Sequence, residues 1–235
     1  MKILRAMVGL LLIPVGLALT WTVLSLVASL GSTLGLSQSL PLLVLGAGVV
    51  LWIIFFLFLP RPVRSYVLAH ELTHALWGAI AGARVSGLKV ARSGGSVQVS
   101  KVNWFTALAP YFFPFYTAIV LLLYCLLVLV LDMRRWEMVW LGLIGLTLGF
   151  HWVFTLDTLA QSQSDIRLYG RLFSYSLIYL FNLLVIGLVL VLVTPLTLDQ
   201  FGVRLIGDIV RVYQACGLVA ADVFHWLELT RKGCI

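Results

Sequence analysis

Five consecutive residues carry the clearest chemical pattern in the chain, His-Glu-Leu-Thr-His at positions 70–74. Each residue of an α-helix turns the chain by about 100°, so His70 and His74 are one turn apart in height and roughly 40° apart around the axis. Their imidazoles can therefore converge on one metal ion. Glu71 lies in the same arc, close enough to reach a water molecule bound to that ion.

This arrangement favours zinc. Catalytic zinc sites use three protein ligands and leave the fourth position to water. The ion lowers the pKa of that water towards about 7 and polarises a carbonyl group. Glu71 is then expected to act as general base, taking a proton during attack and returning it to the leaving amine. The pattern predicts metal-dependent hydrolysis of peptide bonds, with His70 and His74 as two of the ligands.

The chain is far more apolar than a soluble protein. Of its 235 residues, 62% are hydrophobic and 11% are charged, whereas a soluble domain has about a quarter charged residues. The net charge is +7, but Lys and Arg stand singly or in pairs between apolar segments. This is typical of loops that face lipid head groups. We therefore predict a multi-pass protein of a bacterial cytoplasmic membrane, in contact with the lipid bilayer and not with nucleic acid.

A membrane-spanning helix needs about 20 mainly apolar residues. The segments that qualify are 6–30, 40–59, 63–82, 104–131, 138–156 and 172–194. A cleaved signal peptide is the alternative for the first, but its apolar run exceeds the usual 7–15 or so residues, which favours a retained helix. The predicted fold class is an all-α polytopic membrane protein of about six transmembrane helices. We expect a single metalloprotease domain over 1–235, with its core at about 40–194.

Two further elements accompany these helices. Apolar and polar residues alternate within 85–100, where Gly94-Gly95 is expected to supply the turn of a short β-hairpin. Beyond Pro195 polar residues recur at helical spacing, so 195–235 is predicted to form an amphipathic helix on the membrane or against the other helices. The cysteines have no paired spacing, which argues against a disulfide framework or a cysteine zinc site; they are Cys125, Cys216 and Cys234.

Together these features resemble the site-2 protease family of intramembrane metalloproteases. The resemblance covers about 40–194 and rests on the His-Glu-Leu-Thr-His helix, the hairpin that follows it and a later aspartate at a helix boundary. It implies that zinc is held by His70, His74 and one distant Asp, with Glu71 as the base. It also implies that the substrate is a transmembrane protein, and that residues 85–100 form an edge that aligns an unwound segment of it.

The third ligand is left open by the sequence, since the family's usual motif, an Asn-Pro-rich stretch ending in Leu-Asp-Gly, is absent. Asp165 immediately precedes the sixth predicted span and has a glycine nearby, so it is the preferred candidate. Asp157 lies just inside the fifth span, where it can instead cap a helix or orient a ligand histidine. The predicted zinc ligands are thus His70, His74 and Asp165, with Asp157 as the alternative.

Orientation in the membrane also stays open. Ten Lys and Arg residues lie on the side of the N-terminus and six on the other, which favours a cytoplasmic N-terminus and places the hairpin outside. The resemblance implies a hairpin near the cytoplasmic face.

His151 is either a hydrogen-bonding partner near the metal or a core histidine, and Asn182 is either a contact between helices or an active-site donor. The sequence does not indicate an oligomeric state.

One other function class competes with proteolysis. A protease-like membrane scaffold or chaperone would keep the fold and bind partner helices without catalysis. The intact His-Glu-x-x-His pattern argues against this alternative, because a scaffold has no use for the base. A transporter is less favoured, since the chain has no internal repeat.

Overall fold

The computed structural model describes residues 2–33, 35–91 and 94–231, so Cys234 falls outside the described residues. The elements in chain order are α1 (Lys2–Thr33), α2 (Leu36–Phe58), α3 (Val63–Ile80), β1 (Val85–Ala91), β2 (Gly94–Val99), α4 (Trp104–Leu108), α5 (Phe115–Val128), α6 (Glu137–Leu159), α7 (Ser164–Tyr169), α8 (Arg171–Val193) and α9 (Leu198–Arg231). Short 3-10 turns, Ala109–Tyr111 and Arg134–Trp136, lie before α5 and α6. The all-α class is confirmed, and the predicted hairpin is the only sheet in the described residues.

The chain divides into two compact units, of which the first comprises residues 1–34 and 175–235. In this unit α9 packs along α1. Asp208 on α9 is 2% exposed and accepts a hydrogen bond of 2.8 Å from Oγ1 of Thr22. The Tyr213 hydroxyl donates to the Leu11 carbonyl at 2.6 Å. Later residues of α9 therefore meet earlier residues of α1, and the predicted amphipathic tail forms a helix that packs antiparallel to α1.

The second unit, residues 35–174, holds the candidate site. Its helices α2 and α6 pack so closely that their backbones touch. A Cβ atom added at Gly145 would collide with the backbone carbonyl of Leu45, and one added at Gly48 would collide with that of Gly142. Small residues permit this short approach between apolar helices. The close packing fixes α6, whose C-terminal end lies beside the site.

The hairpin lies against α3. Its register pairs Val85 with Val99 and Ala91 with Gly94, with an irregularity between Ser86 and Lys89. Gly94 and Gly95 therefore belong to β2 and do not form the turn, which corrects the prediction from the sequence. Gly95 serves a different purpose, since a Cβ atom there would lie 2.6 Å from Cγ1 of Val67 on α3. The glycine lets the strand approach the helix.

The predicted number of six transmembrane helices is not confirmed. Among the described residues, four helices are long and apolar enough to cross a membrane, or five if α4 and α5, bent by 83°, form one span. The predicted span 63–82 corresponds to α3, which is not among them, because Arg64, His70, Glu71 and His74 lower its hydropathy. The predicted span 104–131 is broken between α4 and α5, where Pro110 and Pro114 interrupt the helical hydrogen bonds.

The α2–α6 contact yields a test of the fold. Replacing Gly145 by Ala places a methyl group against the Leu45 backbone, which cannot rotate away. We expect the free energy of unfolding to fall by about 1–3 kcal/mol, as for other overpacked sites, with a lower thermal midpoint in detergent. Gly142→Ala is the control, because its Cβ atom would meet only Cγ1 of Val44 at 3.8 Å. Equal midpoints for the two variants would contradict the proposed packing.

Candidate metal centre

The structure brings His70, His74 and Asp165 together. Nε2 of His70 lies 3.7 Å from Oδ2 of Asp165, and Nε2 of His74 lies 3.6 Å from the same oxygen. One ligand atom from each of the three residues falls within 4.8 Å of the others. The histidines come from adjacent turns of α3, as their spacing predicts, and the aspartate comes from the first turn of α7.

The short helix α7 places the Asp165 carboxylate. It begins after Gln163 in an extended conformation and ends at Gly170, whose φ of 95° suits glycine. Its inner face is anchored by Ile166, which is 2% exposed. Burial by itself raises the pKa of the Asp165 carboxyl, but the two neighbouring imidazoles of His70 and His74 outweigh it and hold the pKa well below its usual range. The group is therefore a carboxylate at neutral pH and can act as an anionic ligand.

Each histidine is held at its other ring nitrogen. Nδ1 of His74 lies 2.9 Å from the Thr106 carbonyl oxygen, and Nδ1 of His70 lies 3.4 Å from the Tyr66 hydroxyl. A carbonyl oxygen can only accept a hydrogen bond, so Nδ1 of His74 carries the hydrogen and donates it. In the neutral ring, Nε2 of His74 then carries the lone pair and faces Asp165. This is the arrangement in which a histidine ligates a metal ion.

The donor set fits zinc. Ligand atoms at about 2.0–2.2 Å from a tetrahedral zinc ion lie roughly 3.4 Å from one another. The two separations of 3.6 and 3.7 Å between imidazole nitrogen and carboxylate oxygen are within a few tenths of an ångström of that value. Two neutral imidazoles and one carboxylate also match the ligand sets of catalytic zinc sites, which keep one position open.

Glu71 lies on the same helix, 8% exposed. Its carboxylate is held by the backbone of Val97 in β2, and the Gly95 backbone is so close that an added Cβ atom would be 2.7 Å from Cγ of Glu71. The hairpin thus fixes the glutamate beside the two histidines. An open cavity of about 1210 Å³ is lined by these residues, by β2 and by Asp165. The cavity gives a water molecule and an extended chain access to the site.

Other residues singled out in the sequence lie elsewhere. Asp157 lines the cavity, but its carboxylate is 3.5 Å from Nη1 of Arg61 and does not belong to the three-residue cluster. His151 is buried on α6 and is also outside the cluster. The Asn182 side chain, on α8, donates to the Ile178 carbonyl at 2.8 Å.

Two groups that touch the site were missed in the sequence. The Tyr111 hydroxyl donates to Oδ2 of Asp165 at 3.1 Å, and no local pattern marks this tyrosine. The Thr106 carbonyl is held by a capping box, in which the Asn103 side chain accepts from the Thr106 N–H. The Asn-x-x-Thr spacing was a usable signal for a helix start at Asn103. It gave no indication of the histidine that the helix contacts.

Comparison of the chain with models of known protein families, with curated proteins and with solved structures found no match.

Proposed function

We propose that the protein is an integral membrane zinc metalloprotease of the site-2 protease type, which hydrolyses peptide bonds of membrane-protein substrates within or beside the bilayer. The observation that carries this proposal is the convergence of His70, His74 and Asp165 at one point, with Glu71 one residue from a ligand. Four helices in the described part of the chain are long and apolar enough to cross a membrane, which supports the location in the bilayer. Ionisable groups in such surroundings are costly, and they are retained where they serve a function.

The chemistry follows from the groups around the cavity. A zinc ion held by the three ligands would supply an activated water molecule and polarise the scissile carbonyl group. The Glu71 carboxylate accepts the proton that the attacking water loses and passes it to the leaving amine. Its hydrogen bond from Val97 and its contact with Gly95 keep it directed into the site. A scaffold that only binds helices would not need a base held in this way.

The substrate is an extended segment. Within the described residues β2 has β1 as its only strand partner, so one edge of β2 is open to a third strand. Residues of β2 form part of the cavity wall, and an extended peptide bound along this edge would lie beside Glu71. The backbone of Val97 already has a hydrogen-bond partner in the Glu71 carboxylate. Pairing with a substrate is therefore expected along the neighbouring part of β2, in agreement with the role proposed for residues 85–100.

Zinc content tests the ligand set. Asp165→Ala removes the one carboxylate of the cluster, and His74→Ala removes one imidazole, so each purified variant should lose most of the roughly one zinc ion per chain expected for the wild type. Asp157→Ala is the matched control and should keep its zinc, because Asp157 contacts Arg61 instead. Metal analysis of protein prepared without chelators measures this. A metal-free Asp157→Ala protein beside a fully loaded Asp165→Ala protein would transfer the role to Asp157.

Substitution of the base tests catalysis separately from metal binding. Glu71→Gln keeps the size of the side chain and its hydrogen bonding but cannot take up the proton. We expect zinc to stay bound while cleavage of a substrate with a transmembrane segment slows by about 10²-fold or more. Glu137→Gln, at the start of α6, is a matched control outside the cavity. Unchanged cleavage by the Glu71→Gln protein would remove Glu71 from the mechanism.

The contact between β2 and α3 can be tested through Gly95. A methyl group at this position would lie within 2.9 Å of Val67 and of the Glu71 side chain. Gly95→Ala should therefore displace the carboxylate and reduce cleavage by about 10²-fold, the effect of small misplacements of catalytic groups, with zinc retained. Gly46→Ala, where an added Cβ atom meets nothing within 4 Å, controls for the change from glycine to alanine. Full activity of Gly95→Ala would show that the hairpin does not position Glu71.

A further inference from the structure

A short segment between the hairpin and α5 contacts both halves of the candidate metal centre. This segment, residues 103–111, comprises the cap residue Asn103, helix α4 and the 3-10 turn Ala109–Tyr111. It packs against α3, which carries the two histidines, and its helix packs against α7, which carries Asp165. We call it the bridging segment. Two of its residues, Thr106 and Tyr111, each make one hydrogen bond to a different proposed ligand.

The first hydrogen bond runs to His74. Thr106 offers its carbonyl oxygen to Nδ1 of His74 at 2.9 Å. In a continuous helix that oxygen would accept from the N–H four residues later, but position 110 is a proline and has no N–H. The carbonyl is thereby released for the histidine. Asn103 fixes its position, because the Asn103 side chain accepts from the Thr106 N–H at 2.9 Å and the Thr106 hydroxyl accepts from the Asn103 N–H at 3.0 Å.

The second hydrogen bond runs to Asp165. The Tyr111 hydroxyl donates to Oδ2 at 3.1 Å, the same oxygen that faces both imidazoles. Tyr111 is 0% exposed and does not line the cavity, whereas Asp165 does. The tyrosine therefore reaches the site from behind. Its ring also packs edge-on against that of His70, with centroids 5.2 Å apart, so only the hydroxyl acts through the carboxylate alone.

We propose that the bridging segment sets the geometry of the metal site, with Asn103 and Tyr111 as positioning residues for His74 and Asp165. This inference rests on the proposed zinc site. A metal ion tolerates errors of only a few tenths of an ångström among its ligand atoms, and the ligands come from two helices that are far apart in the chain. A single rigid turn that holds one ligand from each helix fixes their separation before the ion binds. Outer partners of this kind typically account for 10- to 100-fold in metal affinity.

The test is the zinc affinity of the full-length protein in detergent, measured by competition with a chromophoric chelator. Tyr111→Phe removes one hydroxyl and leaves the ring in place. We expect it to weaken zinc binding by about 10- to 100-fold. Tyr116→Phe is the matched control. Its hydroxyl donates to the Ser65 carbonyl at 2.8 Å, so it also loses one hydrogen bond, but that bond does not involve a ligand, and its zinc affinity should equal that of the wild type.

The other end of the segment is tested by the cap. Asn103→Ala removes the acceptor for the Thr106 N–H and should weaken zinc binding in the same range as Tyr111→Phe. Asn103→Asp keeps an acceptor, since aspartate caps helices as well as asparagine does, and should restore the affinity. Rescue by aspartate separates positioning of His74 from a general loss of folding. If the Asn103→Ala protein proves unstable, the comparison of Tyr111→Phe with Tyr116→Phe tests the inference by itself.

The outcomes distinguish this inference from the proposed function. Wild-type protein that fails to bind zinc would overturn both. The wild-type protein can instead bind zinc with the same affinity as the Tyr111→Phe and Asn103→Ala proteins. That result would overturn the role of the bridging segment but not the metal centre. Equal weakening by Tyr111→Phe and Tyr116→Phe would also overturn it, because the effect would then follow from any lost tyrosine hydrogen bond. Weaker zinc binding by the Tyr111→Phe protein, with wild-type affinity in the Tyr116→Phe protein, supports the inference.

Discussion

The cost of burying polar groups in an apolar protein governs the arrangement around α3. Two imidazoles and a carboxylate on one helical turn would be strongly unfavourable without partners. The structure supplies a partner for each: Asp165 faces both histidines, the Thr106 carbonyl holds His74, and the backbone of β2 holds Glu71. These partners come from the hairpin, the bridging segment and α7. The elements that follow α3 are therefore organised by the hydrogen-bonding requirements of its polar face.

Apolar packing provides the frame for this polar interior. The close approach of α2 and α6 through glycines requires no polar contacts. It holds the end of α6 near the cavity, where aromatic residues complete the contact. Tyr66 on α3 stacks on Phe154 of α6 with ring centroids 4.8 Å apart, and Tyr66 also lies beside His70. A van der Waals contact between helices is thus connected to His70, a proposed metal ligand, through one aromatic side chain.

Local patterns in the sequence were sufficient for some features and not for others. The His-x-x-x-His spacing fixes the relation of two side chains on one helix, and apolar runs predict long helices, because both depend on neighbours along the chain. The choice between Asp165 and Asp157 could be ranked but not decided, since it depends on where α7 folds back. The hairpin turn was misplaced because Gly95 serves the contact with α3 and Gly94 is the first residue of β2. Tyr111 had no local signal, as its partner is a residue of another helix.

Pro110 gives an example of a residue that acts by what it lacks. It ends a helix, which is the usual role of proline, but the absence of its N–H also leaves the Thr106 carbonyl open to His74. Its influence therefore extends to the tautomer of an imidazole on another helix. A residue with an N–H at this position would compete with His74 for the Thr106 carbonyl. A single missing hydrogen in a turn thus decides which of two acceptor–donor pairs forms.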